Sequence, residues 1–419
     1  MSAAPIAFNA FIPRRSTLFP KRLVFVGGVM QPFFNLRSIT NESVPLHITF
    51  VTHRFERAGY GIQVLVSDLC EELAVAGDRV QLISTSSTFK GSFEYRGFRV
   101  KICVALKELV DQVSPSMLFT LLTDNSDVVV ANGFKFSSTL FAVLVARVRR
   151  RPTFVIFHGV GGKAHSPLGL IRDNVVTNLI RSSDSVLITL NDADKASLIA
   201  QYGFDEKNIH VVRFGMSSRD LKMERTAQLR RADAPLRLLF VGRLSVEKRV
   251  ETLLAVVKEL AETKCVVELL IVGDGPEMKN LEAYAHRLGV TSLVKFIGSV
   301  PHDEIWRYYA DCDLLVLTSE FEGSPRVILE AFLSGRPVIA PRLPTITEMI
   351  SDGRNGFTYS RFEDLVSRLR SLSTSKKSLE EMKEYCLQSA LSYSIQSTAV
   401  FRKLLQESLT QRAATCRLG

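Results

Sequence analysis

The 419-residue sequence lacks both closely spaced cysteines and long hydrophobic runs. Its six cysteines are scattered, and no two have the close spacing of a zinc or redox motif. A small disulfide-stapled module is therefore excluded, and a reducing compartment such as the cytosol is favoured. No apolar run in the sequence reaches the roughly 18 residues that a helix needs to span a bilayer. We therefore expect a cytoplasmic protein, either soluble or peripheral at the inner face of the membrane.

Acidic residues are absent before Glu42, whereas basic residues are spread through the same segment. Residues 1–45 could form a membrane-facing arm or a transit peptide, since transit peptides are poor in acids and contain Ser and Arg. The apolar stretch is too short and too late for a good secretory signal. We favour an upstream mis-assigned start, and we treat residues 1–45 as an uncertain N-terminal extension.

Positive charge is concentrated in the first half of the chain. Residues 1–222 contain 26 Lys and Arg against 18 Asp and Glu, whereas the remaining residues contain 27 against 25. A basic half favours an anionic partner such as a lipid surface or nucleic acid, but a solvated basic face explains it about equally well. Nucleic-acid binding is disfavoured because the basic residues are not interleaved with exposed aromatic motifs.

From residue 46 onward, short β-branched runs alternate with longer segments of helical period, which predicts parallel sheets with crossover helices. The predicted strands of the first series are 47–52, 80–84, 99–103, 128–131, 153–158, 185–189 and 210–213. Those of the second series are 238–241, 267–272, 293–297, 313–317 and 337–340. The polar, charged segment 217–235 is interpreted as a linker. We predict an α/β protein with two Rossmann-like domains, 46–222 and 223–395, facing each other across a cleft.

Two loops that follow predicted strands of the second series carry basic residues or glycines. The first loop carries Arg243 and Lys248 between a strand and a helix. This suits a diphosphate, because Arg binds oxygens bidentately and Lys supplies a point charge. The second loop contains Gly273 and Gly275, which allow either close approach of the backbone to a ligand or merely a tight turn. Pro276 is a favourable first helical position, so we expect a helix to begin there.

A third loop follows the predicted strand 313–317 and carries two acids. Ser324 is predicted to cap a helix, Pro325 fits its first turn, and Gly335 is a stop signal. Glu322 lies just before this helix and Glu330 inside it. Their carboxylates can accept hydrogen bonds from vicinal sugar hydroxyls while the free backbone N–H groups meet a phosphate, although a capping acid and a solvated helical Glu would look the same in isolation.

In this order and at this spacing, the loops resemble those of the family-4 glycosyltransferases of GT-B fold, over about residues 46–405. The family signature is two glutamates separated by seven residues, as Glu322 and Glu330 are. The resemblance implies that Glu322 contacts the donor sugar and Glu330 the ribose. It also implies that the sugar and diphosphate meet the backbone of Gly323, Ser324, Pro325, Arg326 and Val327.

The same resemblance assigns roles to the earlier loops. Arg243 and Lys248 match the diphosphate pair of the family's pattern, which begins here at Val241 and Gly242. The loop with Gly273 and Gly275, together with the segment around Phe296, is implied to line the pocket for the nucleotide base.

The first half matches the family less closely. Gly61 aligns with the second of two adjacent glycines near the donor phosphate, and Tyr60 replaces the first. His158 resembles the histidine near the transferred sugar, although a strand-end histidine is often structural. Asn191 stands where the family usually has Ser, and Phe214-Gly215-Met216 replaces the usual Asn-Gly-Val. The C-terminal segment 396–419 is expected to form a helix that packs back on the first domain.

Two pairs of acids have the spacing that holds a divalent metal in another glycosyltransferase fold. They are Asp311 with Asp313, and Asp192 with Asp194. Because the first pair adjoins a buried strand and the second a helix start, structural and capping interpretations are preferred. We predict no metal and no other cofactor.

The function implied by the resemblance is retaining transfer of a sugar from a nucleotide-sugar, UDP- or GDP-linked, to an acceptor hydroxyl. Arg243, Lys248, Glu322 and His158 are the candidate catalytic residues. The expected acceptor is a glycan or a lipid-linked sugar in polysaccharide or cell-surface glycan assembly. Residues 135–151 combine apolar positions with a terminal arginine cluster, a pattern that suits an anionic membrane or a helix C-terminus. A nucleotide-sugar epimerase or hydrolase and a non-catalytic partner subunit remain alternatives.

Overall fold

The structure is a computed structural model. It describes residues 44–55, 61–87, 89–106, 113–159, 167–222, 234–374, 377–394 and 397–418. The predictions made for residues 1–43, for Tyr60 and for most of the linker fall outside these residues. Within the described chain, no helix has both the length and the apolar character needed to cross a bilayer.

Eight strands of the described chain form the sheet of the first domain. They are β1 (His47–Thr52), β2 (Arg79–Ser86), β3 (Gly91–Tyr95), β4 (Phe98–Val104), β5 (Val128–Asn132), β6 (Thr153–Phe157), β7 (Val186–Thr189) and β8 (Ile209–Val211). Their order is β3-β4-β2-β1-β5-β6-β7-β8, and only β3 runs antiparallel to its neighbour. Every residue of β5 and β6 is buried, as expected for parallel strands covered on both faces.

Helices cover both faces of this sheet. Those of the first domain are α1 (Ile62–Val75), α2 (Pro115–Thr123), α3 (Ser137–Val148), α4 (Pro167–Arg181), α5 (Asp192–Tyr202) and α6 (Ser218–Lys222). The apolar side of α1 packs into the core on one face, and α2 to α5 pack into the core on the other face.

The second domain has a six-stranded parallel sheet within the described residues. Its strands are β9 (Leu236–Val241), β10 (Val267–Val272), β11 (Val294–Gly298), β12 (Leu314–Val316), β13 (Val338–Pro341) and β14 (Gly356–Tyr359), in the order β11-β10-β9-β12-β13-β14. Its helices are α7 (Val250–Glu262), α8 (Met278–Leu288), α9 (Trp306–Asp311), α10 (Arg326–Leu333), α11 (Pro344–Thr347), α12 (Phe362–Thr374) and α13 (Lys377–Ser394). The prediction of two parallel-sheet α/β domains is confirmed.

The last helix, α14 (Ser397–Leu418), packs against the first domain. Phe401 is fully buried among Phe50, Phe154 and Phe214, with ring centroids 5.7 to 6.5 Å apart. Arg402 binds both carboxylate oxygens of Asp78 at 2.8 and 2.9 Å. Such a bidentate, largely buried pair fixes the orientation of the helix as well as its position.

Sequence patterns placed most strands within two residues but missed β3 and β14. The strand β3 lies at the sheet edge and joins β4 through Arg96 and Gly97, both at positive φ, which is a hairpin geometry. Two helix starts were also wrong. The chain makes a turn in which the Met278 N–H donates to the Gly275 carbonyl, so α8 begins after Pro276. Pro325, not Ser324, is the N-cap residue of α10.

Candidate active site

The candidate residues collect where the strand order of each sheet reverses. In the second sheet, β9 lies between β10 and β12, and the loops after β9 and β12 carry Lys248 and Glu322. In the first sheet, β1 and β5 are neighbours at the corresponding position, and Asn132 ends β5. Such reversal points open a crevice at the carboxyl ends of the strands, which is where ligands bind in α/β sheets.

The glycines of the second domain's loops hold those loops together. The N–H of Gly273 donates to Gly298 at 2.8 Å, and the N–H of Gly242 donates to Val272 at 3.0 Å. A Cβ at Gly275 would lie 2.7 Å from the backbone nitrogen of Leu244, which real Cβ atoms essentially never do. Close backbone packing therefore requires glycine at 273 and 275, whereas a Cβ at Gly242 would meet only the Phe240 ring at an ordinary contact distance.

Lys248 and Glu322 form an ion pair at the mouth of the crevice. The ammonium of Lys248 donates to Oε1 of Glu322 at 2.7 Å, and the hydroxyl of Ser319 donates to the same oxygen at 2.7 Å. Thr345 donates to the Glu322 carbonyl at 2.7 Å, which fixes the loop backbone. The Glu322 side chain is nearly buried, while that of Lys248 is 22% exposed. A cation that solvent reaches is thus paired with an oriented carboxylate.

Glu330 is enclosed by protein groups instead. Its Oε2 accepts from the Tyr309 hydroxyl at 2.8 Å, and its Oε1 lies 3.2 Å from Nε2 of His302 and 3.7 Å from Nε of Arg326. Burial alone would lower the pKa of His302, but the hydrogen bond and the charge of Glu330 outweigh it and raise that pKa above its ordinary value. Glu330 is therefore held rigidly from several sides.

His158 lies just beyond the end of β6 and is neutral. Its Nε2 is 2.5 Å from Oδ1 of Asn132, whose amide nitrogen donates to Thr52 at 3.3 Å. Burial, aided by the nearby His53, lowers the pKa of His158 to about 3. Since Asn132 presents its oxygen, Nε2 carries the proton and Nδ1 has the lone pair. At neutral pH this side chain offers hydrogen bonds, not charge.

The loop of Glu322 touches the first domain directly. A Cβ at Gly323 would lie 3.1 Å from the carbonyl carbon of His158 and would overlap its oxygen. The amide nitrogen of Asn191 donates to the Gly323 carbonyl at 2.8 Å. The structure therefore brings Lys248, Glu322, Gly323 and His158 together across the cleft, and Asn191 supplies an inter-domain hydrogen bond.

The remaining predicted site residues have varied surroundings. Arg243 and Ser324 are exposed, Pro325 is buried, and Val327 and Phe296 are half-buried. Phe296 packs against the second domain's core from β11. Gly61 adopts φ 55 immediately before α1. The side chain of Arg326 is turned away from the loop and is buried against Asp68 and Asp220.

The acid pairs set aside in the sequence have protein partners. Asp192 pairs with Arg213, and Asp194 accepts from the Asn191 amide at 2.9 Å. Asp311 pairs with Arg237, and Asp313 accepts from the Arg237 N–H at 2.7 Å. Among the described residues, no group of three His, Cys, Asp or Glu side chains is arranged to hold a metal ion.

Two family models match successive parts of the chain. The model described as "Glycosyltransferase Family 4" matches residues 60–217, and the model "Glycosyl transferases group 1" matches residues 222–388. Together they cover more than three quarters of the sequence. The chain belongs to this glycosyltransferase family. The family assignment made from the loop motifs is thus confirmed.

Curated relatives of this glycosyltransferase match it over part of their length. Sulfoquinovosyl transferase SQD2 of Arabidopsis thaliana is 34% identical over 148 residues, which is 34% of this chain and 28% of the relative. Alpha-monoglucosyldiacylglycerol synthase of Streptococcus pneumoniae is 30% identical over 154 residues, 36% of this chain and 35% of the relative. The aligned regions therefore span about a third of each relative.

Solved structures confirm the fold of the glycosyltransferase as GT-B. The Anabaena protein Alr3699/HepE, in complex with UDP and glucose, superposes with a TM-score of 0.70 at 21% identity, over 87% of this chain and 99% of that one. WaaG, a glycosyltransferase involved in lipopolysaccharide biosynthesis, superposes with a TM-score of 0.68 at 17% identity, over 85% and 98%. At these identities the likeness concerns the fold alone.

Sequence reasoning missed several residues of the site. His302 and Tyr309 bind Glu330, and Asn132 binds His158. Asn132 ends a strand, so a search of strand ends for side-chain amides would have found it. His302 and Tyr309 carry no local signal, because only the packing of α9 against α10 brings them to Glu330.

Proposed function

We propose that this glycosyltransferase moves a sugar from a UDP- or GDP-linked donor to an acceptor hydroxyl with retention of anomeric configuration. The observation that carries the proposal is the Lys248–Glu322 pair, at 2.7 Å, next to Gly323, which lies against His158. A cation and a carboxylate thus lie beside the backbone of His158, a residue whose neutral imidazole is bound to Asn132. Such a set suits a sugar attached to a diphosphate, since each part of that ligand finds a complementary group.

Lys248 would change partners when the donor binds. Without donor, Glu322 holds its ammonium. A diphosphate carries more negative charge than a carboxylate and can draw Lys248 toward it, which leaves the oxygens of Glu322 free to accept from sugar hydroxyls. Glu330 would bind the ribose. Gly61, Gly242, Gly273, Gly275 and Phe296 would line the rest of the donor site.

Charge stabilisation of the leaving group would supply most of the catalysis. As the bond between the anomeric carbon and the phosphate oxygen breaks, Lys248, Arg243 and the N-terminus of α10 stabilise the developing charge. That N-terminus has no capping side chain and no acid in its first turn, so its positive end is not compensated there. The protein's own cations therefore make a metal ion unnecessary, and we propose none.

Retention would follow a direct front-face route. The leaving phosphate oxygen accepts the acceptor's proton while the acceptor oxygen bonds to the anomeric carbon on the same face. Among the described residues, the backbone of His158 and Gly159 lies against Gly323 and Phe321 of the Glu322 loop, and the neutral imidazole of His158 is bound to Asn132. These contacts include no carboxylate that could act as a nucleophile, which supports a single displacement over a covalent intermediate.

For the acceptor, we propose a lipid-linked or glycan substrate met at an anionic membrane. On α3, Leu140 is half-buried and Val143 is buried, whereas Leu144 is exposed. At the end of the arginine cluster, Arg151 binds Asp124 at 3.2 Å. The exposed surface instead combines the apolar side chains Phe119, Leu122, Leu144 and Val148 with the basic side chains Arg147, Arg149 and Arg150. We name it the α2–α3 surface. Apolar and basic groups together favour anionic lipid interfaces.

Vesicle sedimentation tests this surface. Wild-type protein is expected to bind vesicles of phosphatidylglycerol and phosphatidylcholine but not phosphatidylcholine alone. Replacing both Arg149 and Arg150 by Gln should lower binding about thirtyfold, since each of the two basic residues near an anionic surface contributes roughly 1 kcal/mol. Equal binding of the double variant would exclude the α2–α3 surface.

Thermal unfolding in the presence of UDP, GDP, ADP and their sugar conjugates tests the donor site. One nucleotide should stabilise the wild type selectively, and Lys248→Ala and Glu330→Ala should remove the stabilisation. Lys258→Ala is the matched control, because Lys258 lies on α7 and pairs there with the exposed Glu262 at 3.1 Å. Well-folded wild type that none of these ligands stabilises would contradict the proposed function and favour a non-catalytic partner subunit.

A further inference from the structure

A buried cluster of charges joins the two domains beneath the candidate donor site. Arg326, the first residue of α10, donates through Nη2 to Asp68 of α1 and to Asp220 of α6, the latter at 2.8 Å. Its side chain is 8% exposed, and those of Asp68 and Asp220 are 7% and 0% exposed. One guanidinium therefore connects three helices from which solvent is almost excluded.

The three helices belong to different parts of the molecule. Helix α1 starts at the proposed phosphate loop of the first domain, and α10 follows the Glu322 loop of the second. Helix α6 lies at the junction: Glu72 of α1 accepts from its Ser218 N–H at 2.7 Å, and its Leu221 packs on the second domain's core. In this contact between the domains, Asp68 thus belongs to the first domain and Arg326 belongs to the second.

Arg326 also faces the ribose-binding candidate. Its Nε lies 3.7 Å from Oε1 of Glu330, one turn along α10. On the other side of the cluster, Arg96 binds Asp68 at 3.0 Å. Burial raises the pKa of Asp68, although the charges of Arg326 and Arg96 oppose that rise. Asp68 therefore depends on these arginines to remain an anion inside the protein.

Separation of the domains would break this cluster. If the cleft opened, Arg326 would leave Asp68, and both groups would need water or new partners, because an unpaired buried charge is strongly unfavourable. A lysine side chain has one nitrogen, whereas the guanidinium of Arg326 donates to Asp68 and Asp220 through Nη2 and faces Glu330 through Nε. The ion pair between Arg326 and Asp68 is therefore made in the closed arrangement, in which Gly323 also touches His158.

We propose that Arg326 is a positioning residue that links closure of the cleft to the geometry of the donor site, through its contact with Asp68. The inference rests on the proposed function and concerns the same site. Arg326 itself does not touch the reacting atoms. It holds α10, and hence the Glu322 loop and Glu330, in register with the start of α1.

The sharpest variant is Asp68→Asn, because it weakens only the first-domain end and leaves Arg326 its contacts with Asp220 and Glu330. We expect kcat for sugar transfer to fall about tenfold, within the 5- to 150-fold range typical of coupling between sites. The Kd for the nucleoside diphosphate should change less than about threefold. Small-angle scattering of the ligand-free variant should show a larger radius of gyration. Arg326→Gln should lower kcat at least as much, because it also removes the contacts with Asp220 and Glu330, and the double variant should lose little more than Arg326→Gln alone, because the contact with Asp68 is then already absent.

Arg402→Gln is the matched control. Arg402 is also a largely buried arginine bound to a first-domain aspartate, Asp78, but it comes from α14 and not from the donor helix. This variant should lower the melting temperature without changing kcat per folded molecule. The same pattern in Asp68→Asn, with unchanged scattering, would overturn the inference.

The inference and the proposed function fail in different ways. If wild type neither binds a nucleotide nor transfers sugar, yet Asp68→Asn still enlarges the radius of gyration, the donor proposal fails and the domain contact stands. If wild type binds and transfers, and Asp68→Asn matches it in both kcat and scattering, the function stands and the role of Arg326 is wrong.

Discussion

Glu322 and Glu330 share one motif, yet they lie in contrasting environments. Glu322 sits in the loop before α10, where its partners are the partly exposed Lys248 and the hydroxyl of Ser319. Glu330 lies inside the helix, where Tyr309, His302 and Arg326 surround it. One carboxylate has a partner that a ligand can take over, whereas the other is clamped in place.

This difference shows that one short segment can contain both a carboxylate whose partner a ligand can replace and a carboxylate whose orientation is fixed. A flexible lysine loses little interaction energy when its ammonium moves from a carboxylate to a phosphate, because the ammonium is paired with an anion in both positions. A glutamate that two hydrogen bonds hold keeps its orientation, and a ligand's hydroxyls can meet it without reorganisation. We therefore expect the carboxylate of Glu322 to act on the transferred sugar and the carboxylate of Glu330 to act on nucleotide affinity.

The largest expected effect comes from removing Lys248, the partner of Glu322 that a ligand can replace. Lys248→Ala removes the cation that would stabilise the leaving diphosphate, so kcat should fall by about 10²–10³-fold, the cost of deleting one preorganised electrostatic group. Initial rates with the donor that stabilises the wild type measure this. The melting temperature should also fall, because the nearly buried Glu322 loses its cation and keeps only the hydrogen bond from Ser319.

Lys258→Ala controls for loss of a surface cation. A loss of less than about threefold in Lys248→Ala would mean that Lys248 does not serve the leaving group.

A smaller expected effect is a pH dependence of stability that arises from His302, which binds Glu330. His302 has a raised pKa because Glu330 outweighs its burial, so its contribution to stability is complete below the ordinary pKa of about 6.5 and is lost as pH rises through the raised value. Replacing His302 by Gln should therefore lower the free energy of unfolding more at pH 5.5 than at pH 8.5. Denaturant titrations at both pH values check this.

For His158 we expect the opposite pH dependence of stability. Its pKa is lowered to about 3, mainly by burial, so the folded state does not bind the proton that the unfolded chain takes up below pH 6.5. The His158→Gln variant should gain stability relative to wild type as pH falls from 7 to 5. Parallel pH trends in the two histidine variants would contradict the electrostatic account of both sites.

Much of the fold could be predicted from the sequence, because its parallel strands are buried on both faces. The continuous apolar runs at β5 and β6 are unambiguous for that reason. The edge strand β3 alternates between half-buried and exposed residues, and no apolar run marks it. Helix starts at Pro276 and Ser324 were misplaced because a turn and a proline cap interrupt the expected pattern.

The residues of the candidate site likewise divide into those that the sequence pattern predicts and those that it does not. Lys248, Glu322 and Glu330 could be found because each follows or opens an element in a motif of fixed spacing. The partners of Glu330 lie 28 and 21 residues before it, and Asp68 lies 258 residues before Arg326. No spacing rule joins such residues, since only the packing of helices brings them together.

Calorimetric titration of the two glutamate variants tests the central claim most directly. The nucleoside diphosphate and its sugar conjugate would each be titrated into wild type, Glu322→Gln and Glu330→Gln. We expect Glu330→Gln to weaken both ligands by about tenfold or more, since it disturbs a buried charged hydrogen bond. Glu322→Gln should leave the diphosphate's affinity nearly unchanged and remove only the extra affinity due to the sugar. Equal losses for both ligands in both variants would contradict a division of roles between the two carboxylates.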